Sequence, residues 1–173
     1  MPIRRDTATV TPEGARLELL PEGVVVRDLV THTDERGTVC ELYDPRWEAH
    51  PDPLVFAYQF TIRPGAAKGW AVHREHDDRY ALLEGELEVV LYDERDDAVT
   101  SGLVARTFLT GRHRRLFTIP PGVWHAERNV GRTDVVVVNF PTIPYDHGNP
   151  DKYRLPLDTI ELPVTLGPEW LGW

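Results

Sequence analysis

The sequence predicts an all-β protein, built as one sandwich or barrel domain. Three features support this prediction. No window shows a sustained apolar repeat of 3.6 residues, so long amphipathic helices are not expected. Fifteen prolines and thirteen glycines interrupt the 173-residue chain, and both residue types disfavour helices. Short runs rich in β-branched and aromatic residues recur between turn signals, which is typical of strands in a sandwich or barrel.

Eight runs have the composition of strands. Residues 134–140, Asp-Val-Val-Val-Val-Asn-Phe, are nearly all apolar, as in a strand buried on both faces. Residues 79–83 and 87–92 are expected to pair as a hairpin about Gly85. The predicted strands are residues 24–30, 38–43, 54–62, 79–83, 87–92, 103–109, 116–119 and 134–140.

Composition and charge restrict the class of protein. Hydrophobic residues make up 41% of the chain and charged residues 27%, as in a folded domain. A net charge of -9 disfavours a nucleic-acid surface. No apolar run reaches the ~20 residues of a membrane span, and no secretory signal follows the basic N-terminus. Because Cys40 is the one cysteine, no internal disulfide is expected, and we predict a cytoplasmic protein.

The chain contains no linker, repeat or low-complexity tract, so a single domain is predicted. Residues 1–22 are expected to form an N-terminal arm, and residues 23–141 the β-barrel. Residues 142–173 contain five prolines and are expected to form a loop-rich C-terminal segment.

Two of the seven histidines, His73 and His125, stand in patterns that suggest a site. Residues 120–129 have the form Pro-x-Gly-x-x-His-x-x-x-Asn, the second motif of the cupin superfamily, in which a tight turn delivers a histidine into a barrel. The alternative is a proline–glycine turn followed by a histidine that hydrogen-bonds within the core. His73, Arg79 and Gly85 have the spacing of the first cupin motif.

The histidine spacing does not favour a metal site. Two histidines at i and i+2 of a strand face the same way and reach one metal ion. Here His73 and His76 are separated by three positions, which places them on opposite faces of a strand unless a bulge intervenes. Glu75 is two residues from His73, but one histidine and one carboxylate make a thin ligand set. We therefore predict that the site holds no metal.

The sequence resembles the dTDP-4-dehydrorhamnose 3,5-epimerase family, which are metal-free cupins that act on sugar nucleotides. Residues 85–95 followed by Gly102 resemble the family's Gly-Glu-Val, alternating strand, Asp-x-Arg and glycine. Residues 34–41 resemble its Asp-x-Arg-Gly-x-x-x-Glu signature, and residues 119–125 its Ile-Pro-x-Gly-x-x-His segment. Tyr145 and Asp158 resemble its tyrosine-to-aspartate tail. The resemblance runs from about residue 23 to about residue 163.

The resemblance implies a cupin double-stranded β-helix, or jelly-roll barrel, and catalytic roles for three residues. His73 matches the general base, Asp158 the aspartate that orients this base, and Tyr145 the general acid. The implied activity is epimerisation of a nucleotide-linked 4-keto-6-deoxy sugar, with dTDP as the expected nucleotide, at C3, C5 or both. No cofactor is implied.

The resemblance also implies a set of substrate-binding residues. Arg36 and Glu41 match residues that contact the nucleotide from a neighbouring subunit, so a homodimer is expected. Lys68 resembles the arginine of an Arg-Gly pair that precedes the base. The family lysine that faces the enolate oxygen aligns with Asp78, and Arg79, one residue further on, is the nearest cation. The substrate-binding set is Arg36, Glu41, Lys68, Arg79, Asp93 and His125.

The implied chemistry fits these residue types. A 4-keto group acidifies the C–H bonds at C3 and C5, and a neutral imidazole can remove such a proton near pH 7. The enolate oxygen needs a cation or a hydrogen-bond donor, and inversion needs a second acid on the opposite face of the sugar.

Two alternatives remain open at the sequence level. The first is a metal-dependent cupin enzyme that uses His73, His76 or Glu75, and His125. The second is a sugar-binding cupin without catalysis, which Asp78 at the lysine position favours.

Overall fold

The computed structural model describes residues 6–167. These residues form twelve strands and one short 3-10 helix, Pro45–Trp47, without an α-helix. The strands are β1 Val25–Asp28, β2 Thr31–Asp34, β3 Gly37–Cys40, β4 Tyr58–Ile62, β5 Ala67–Val72, β6 Asp78–Glu84, β7 Glu86–Asp93, β8 Val104–Thr110, β9 Arg115–Ile119, β10 Val123–Asn129, β11 Val135–Asn139 and β12 Tyr153–Arg154. Among residues 6–167, no helix is long and apolar enough to cross a membrane.

Two five-stranded antiparallel sheets form the barrel. Their strand orders are β1-β9-β6-β11-β4 and β12-β5-β10-β7-β8. Most strands that follow one another in the chain, such as β5 and β6 or β9 and β10, lie in opposite sheets, whereas β7 and β8 pair within one sheet. This arrangement is that of a jelly roll. The predicted all-β cupin fold is therefore confirmed. The strands β2 and β3 form a separate two-stranded sheet.

The predicted hairpin of residues 79–83 and 87–92 is wrong. β6 pairs with β9 and β11, whereas β7 pairs with β10 and β8. Gly85 carries the chain from one sheet to the other with φ +89°, and a Cβ there would lie 2.8 Å from the Asp134 carbonyl oxygen. The turn is tight, as the sequence suggests, but it joins strands of opposite sheets.

Three apolar clusters hold the sheets in place. Leu87, Val89 and Leu91 alternate along β7 into the core between the two sheets, as the two-residue period of a strand requires. On the outer face of the β5–β10–β7 sheet, Val90 packs with leucines of the C-terminal segment, including Leu157. A third cluster covers the outer face of the other sheet. Each fully buried aliphatic side chain contributes roughly 1.5–3 kcal/mol.

Candidate active site

Two adjoining cavities open at one end of the barrel. The larger has a volume of about 440 Å³ and is lined in part by His73, His76 and Tyr145. The smaller has a volume of about 160 Å³ and is lined in part by His125 and Glu127. Both cavities are also lined by Tyr58, Lys152 and Arg154, so they form one continuous candidate site.

The two cupin motifs meet at this end of the barrel. His73 directly follows β5, and Asp78 begins β6. The proline–glycine turn before β10 is tied to the first motif, because the Gly122 amide donates a hydrogen bond to the His73 carbonyl oxygen at 2.8 Å. Along β10, His125 and Glu127 share one face because side chains of a strand alternate.

The ring of His73 has a close polar neighbour at each nitrogen. Its Nδ1 lies 2.5 Å from the backbone carbonyl oxygen of Asp151. A carbonyl oxygen can only accept, so Nδ1 carries the proton and the neutral ring has its lone pair on Nε2. Nε2 is buried 3.1 Å from Asp78 Oδ2, and the angles of this contact do not satisfy a hydrogen bond. Burial lowers the pKa of His73, but the charge of Asp78 and the Asp151 carbonyl raise it overall.

Asp78 is a buried carboxylate with polar neighbours on several sides. Asn139 Nδ2 donates to its Oδ1 at 2.6 Å, and the Tyr80 hydroxyl lies 3.0 Å from its Oδ2. Burial would raise the pKa of Asp78, but His73, His125 and Asn139 hold it well below its usual range. Asp78 is therefore ionised in the folded protein and favours the protonated form of His73.

His125 and Glu127 complete the buried group. His125 Nε2 lies 3.5 Å from Asp78 Oδ2, and its Nδ1 lies 3.1 Å from the Val123 carbonyl oxygen. Burial lowers the pKa of His125 to about 3, so its ring is neutral near pH 7. Burial also raises the pKa of Glu127 to about 7. The Tyr80 hydroxyl lies 3.0 Å from Glu127 Oε1 and so connects Glu127 to Asp78.

The expected separation of His73 and His76 on opposite faces is wrong. Residues 73–77 lie between β5 and β6 and belong to neither strand, so the two-residue alternation does not apply. The two rings lie with centroids 4.1 Å apart, and His76 Nδ1 lies 2.7 Å from Asp151 Oδ2. Ligand atoms of His73, Asp78 and His125 all lie within 4.8 Å of one another, as do those of His73, His76 and Asp151.

No protein-family model matches the chain, but known proteins do. It is 34% identical over 138 residues to the probable low-salt glycan biosynthesis epimerase Agl13 of Haloferax volcanii, covering 78% of this chain and 87% of that protein. It is 32% identical over 151 residues to the spore coat polysaccharide biosynthesis protein SpsL of Bacillus subtilis, covering 86% and 95%. A dTDP sugar isomerase from Desulfovibrio desulfuricans G20 superposes with a TM-score of 0.77 at 29% identity, covering 84% and 91%.

The chain belongs to the dTDP-4-dehydrorhamnose 3,5-epimerase-like family of cupins. The resemblance inferred from the sequence motifs is thereby confirmed. So is the enzyme class, since Agl13 is a probable epimerase and the D. desulfuricans protein is a dTDP sugar isomerase.

Among the residues that the epimerase family would use in catalysis, the structure brings His73 and Tyr145 to one cavity. Tyr145 is 45% exposed, and its ring packs edge-on against His147 with centroids 4.9 Å apart. Asp158 lies on an exposed turn. The expected contact between Asp158 and His73 must be corrected, because the described partners of the His73 ring nitrogens are Asp151 and Asp78.

Of the expected substrate-binding cations Lys68 and Arg79, only Lys68 lines a cavity of the site. Lys68 lines the smaller cavity, with Nζ 5.9 Å from the centre of the Phe60 ring. Arg79 faces away from the cavities, and this expectation is corrected. Adjacent residues of a strand point to opposite faces, so Asp78 points inward, while the buried Arg79 guanidinium donates to the carbonyl oxygens of Phe140, Asp52 and Pro53.

Asp93 holds a loop and does not line either cavity. Its carboxylate accepts hydrogen bonds from Arg95 and from the Thr100 hydroxyl, the latter at 2.6 Å. The Gly102 amide donates to the Asp93 carbonyl oxygen. The family's Asp-x-Arg pattern with its following glycine therefore closes the loop between β7 and β8, and the expected sugar contact of Asp93 is corrected.

Arg36 and Glu41 lie at the β2–β3 hairpin, away from the cavities. Arg36 is exposed and pairs with Asp34, two residues earlier. All residues of β2 and the first three of β3 are exposed. Within one chain, these two residues do not reach the cavity that contains His73.

Several site residues lie outside the motifs recognised in the sequence. Glu127 could have been recognised, because it stands two residues after His125 on the same face of one strand. Tyr58, Asn139 and Lys152 show no local pattern. The role of Asp151 is carried partly by its backbone carbonyl, which any residue type would provide.

Proposed function

We propose that the protein epimerises a nucleotide-linked 4-keto-6-deoxy sugar, with dTDP as the expected nucleotide, and that His73 removes the proton at C3 or C5. The observation that carries this proposal is the setting of the His73 ring, which lines the larger cavity while its Nε2 is buried against Asp78. The Asp151 carbonyl fixes the tautomer with a lone pair on Nε2, and ionised Asp78 stands 3.1 Å from that nitrogen. The named activity of the isomerase from D. desulfuricans supports the substrate class.

The charges around His73 suit a base. When Nε2 takes the proton, the imidazolium that forms stands beside the Asp78 carboxylate, which favours the charged ring. The C–H electron pair moves into a C=C bond, and the carbonyl electrons move onto oxygen as an enolate. We propose Tyr145 as the acid that returns a proton on the other face, because it lines the same cavity.

Deuterium incorporation tests the proposal. The purified protein is incubated in deuterated water with a dTDP-4-keto-6-deoxyhexose, and C3 and C5 are followed by NMR. We expect wild-type protein to exchange these protons. In His73→Ala the exchange rate should fall by at least ~10³-fold, because the substitution removes both the general base and its fixed position beside the substrate. The control His113→Ala alters an exposed histidine paired with Asp28 and should exchange normally. A folded wild-type protein that does not exchange would favour sugar binding without catalysis.

We also propose a homodimer in which the β2–β3 hairpin of one subunit covers the site of the other. The hairpin is exposed along its length, and Val30 and Val39 are 67% and 68% exposed. A lone two-stranded hairpin is marginally stable in water, so a partner surface would stabilise it. It would also bring Arg36 to a cavity that this residue does not reach in its own chain. Light scattering at micromolar concentration should give a molecular mass of about twice 19.7 kDa. A monomer would contradict the proposal.

The cytoplasmic location of the protein stays a prediction.

A metal-assisted epimerase is the second candidate, favoured by the convergence of His73 Nε2 and His125 Nε2 on Asp78. Two imidazoles and a carboxylate fit a zinc-like ion. Such an ion would polarise the sugar carbonyl. Elemental analysis after purification without chelators separates the candidates: the first predicts no stoichiometric metal, and the second predicts about one per chain.

A further inference from the structure

Two carboxyl groups lie close to the proposed base, His73, and the cations that line the cavities are Lys68, Lys152 and the exposed Arg154. Asp78 is ionised and buried, and Glu127 stands beside it through Tyr80. Proton abstraction adds an enolate oxygen to this environment, and a new anion near a buried carboxylate is costly unless a cation faces it. Arg79, the cation nearest in sequence to Asp78, is committed to backbone carbonyls on the other side of the sheet.

The chain contains two lysines, Lys68 and Lys152, and both line the smaller cavity. They differ in their surroundings. Lys68 is exposed, and its ammonium lies above the Phe60 ring. Lys152 is partly buried and lines both cavities. Its charge acts electrostatically on His73, His125 and Glu127. No ion pair within 4 Å joins its ammonium to a carboxylate of residues 6–167.

The backbone on both sides of Lys152 is anchored to the base. Before it, the Asp151 carbonyl contacts the His73 ring, and the Asp151 carboxylate accepts from the amides of Arg74 and Glu75 at 2.8 and 2.9 Å. After it, β12 pairs with β5, the strand that leads into His73. The Lys152 side chain therefore starts from a point whose position relative to His73 is set by hydrogen bonds, as a preorganised charge requires.

We propose that Lys152 is a catalytic residue that holds the oxygen of the enolate formed when His73 removes the sugar proton. The inference rests on the proposed function and names the cation that it requires. The C–H bond breaks, its electron pair forms the C=C bond, and the carbonyl electron pair becomes a lone pair on oxygen beside the ammonium. Reprotonation at carbon reverses these shifts, and Lys152 keeps its proton throughout.

The test compares three variants in the deuterium assay with a dTDP-4-keto-6-deoxyhexose. Lys152→Met removes the charge and keeps much of the stem, whereas Lys152→Arg keeps the charge. Arg132→Gln removes a positive charge from an exposed site at the other end of the barrel and is the matched control. We expect Lys152→Met to lower the exchange rate by ~10²–10³-fold, the usual loss for one oxyanion partner. Lys152→Arg should recover part of the rate, and Arg132→Gln should match wild type.

Binding of dTDP alone, measured by calorimetry, separates enolate stabilisation from phosphate binding. The proposal predicts that Lys152→Met keeps its dTDP dissociation constant within about threefold while exchange falls. A loss of dTDP affinity equal to the loss of exchange would make Lys152 a phosphate ligand and overturn the inference.

The inference and the proposed function fail in different ways. If wild type and Lys152→Met exchange at the same rate while His73→Ala is inactive, the role of Lys152 is wrong and the epimerase proposal stands. If wild type does not exchange, both fail.

A second readout does not depend on turnover. Because the chain has two lysines, protein labelled with [ε-¹³C]lysine gives two signals, which Lys152→Arg assigns. Adding the keto sugar nucleotide should shift the Lys152 signal more than dTDP alone does. Equal shifts from the two ligands would contradict contact with the keto group.

Discussion

The two ends of the barrel interior are equally buried but chemically opposite. Along β6, the inward positions run from Leu82 through Tyr80 to Asp78, and along β11 from Val135 through Val137 to Asn139. One end is an apolar core, and the other is a network of carboxylates, imidazoles and hydroxyls. The same two-residue period builds both, so burial alone does not distinguish the core from the site.

The two ends differ in what their buried side chains need in order to be stable. Apolar side chains at the first end need only complementary volume. At the second end, each buried polar group requires a partner, because an unpaired one costs about 1–3 kcal/mol. Asp78 finds Asn139 and Tyr80, whereas the buried Nε2 of His73 lacks hydrogen-bond geometry. The polar end therefore keeps a buried nitrogen without a hydrogen bond, whereas the apolar end is filled by packed side chains.

The largest expected effect concerns activity at the polar end. Asp78→Asn removes the charge beside His73 and should lower deuterium exchange by ~10³-fold, about 4 kcal/mol in activation free energy, while the protein stays folded. Asp134→Asn, an exposed aspartate at the apolar end, is the control and should have normal activity. Exchange by Asp78→Asn at the wild-type rate would show that the carboxylate does not support the base.

The second effect concerns stability at the apolar end. Leu82→Ala leaves a cavity between the sheets and should lower the free energy of unfolding by about 2–5 kcal/mol. Exchange per folded molecule should change little, because Leu82 lines neither cavity of the site. Urea unfolding and the deuterium assay measure the two quantities. A large loss of activity at full stability would contradict the division between the two ends.

The third effect is the pH dependence of stability caused by Glu127. Its pKa rises from 4.5 in the unfolded chain to about 7 in the fold, so folding favours the protonated form. This contribution is full below pH 4.5 and is lost as the pH rises through 7. Relative to Glu127→Gln, wild type should lose ~1–3 kcal/mol across that window. Urea unfolding at pH 4 to 8 measures the difference; parallel curves would show that Glu127 titrates normally.

The smallest effect concerns Asp158. Because Asp158 is exposed and Asp151 occupies the position beside the His73 ring, Asp158→Asn should change the exchange rate by less than about twofold. Surface substitutions of this kind usually have small effects. A tenfold loss would restore Asp158 to the role that the family resemblance implies, through a rearrangement on substrate binding.

The sequence was sufficient for the features that depend on local pattern. Strand periodicity and turn residues predict the all-β fold, and the proline–glycine turn predicts the delivery of His125 into the barrel. Six of the eight predicted runs lie within two residues of the observed strands at both ends. The run at 54–62 forms a strand only over Tyr58–Ile62, and the run at 38–43 ends early at Cys40. The strands β2, β5, β10 and β12 lie outside the eight predicted runs. β5, with the sequence Ala-Lys-Gly-Trp-Ala-Val, lacks the apolar alternation of a strand.

Tertiary structure decided the partners of these residues. Asp151 contacts His73 from 78 positions away, through a carbonyl oxygen that has no sequence signature. Lys152 reaches the cavity because the two-residue strand β12 pairs with the edge of β5. A strand of two residues is too short to show a periodic pattern in the sequence. Gly85 signals a turn equally well within one sheet or between two. Local patterns specify which way a side chain points within its own strand, whereas the chain path between sheets determines which distant groups it meets.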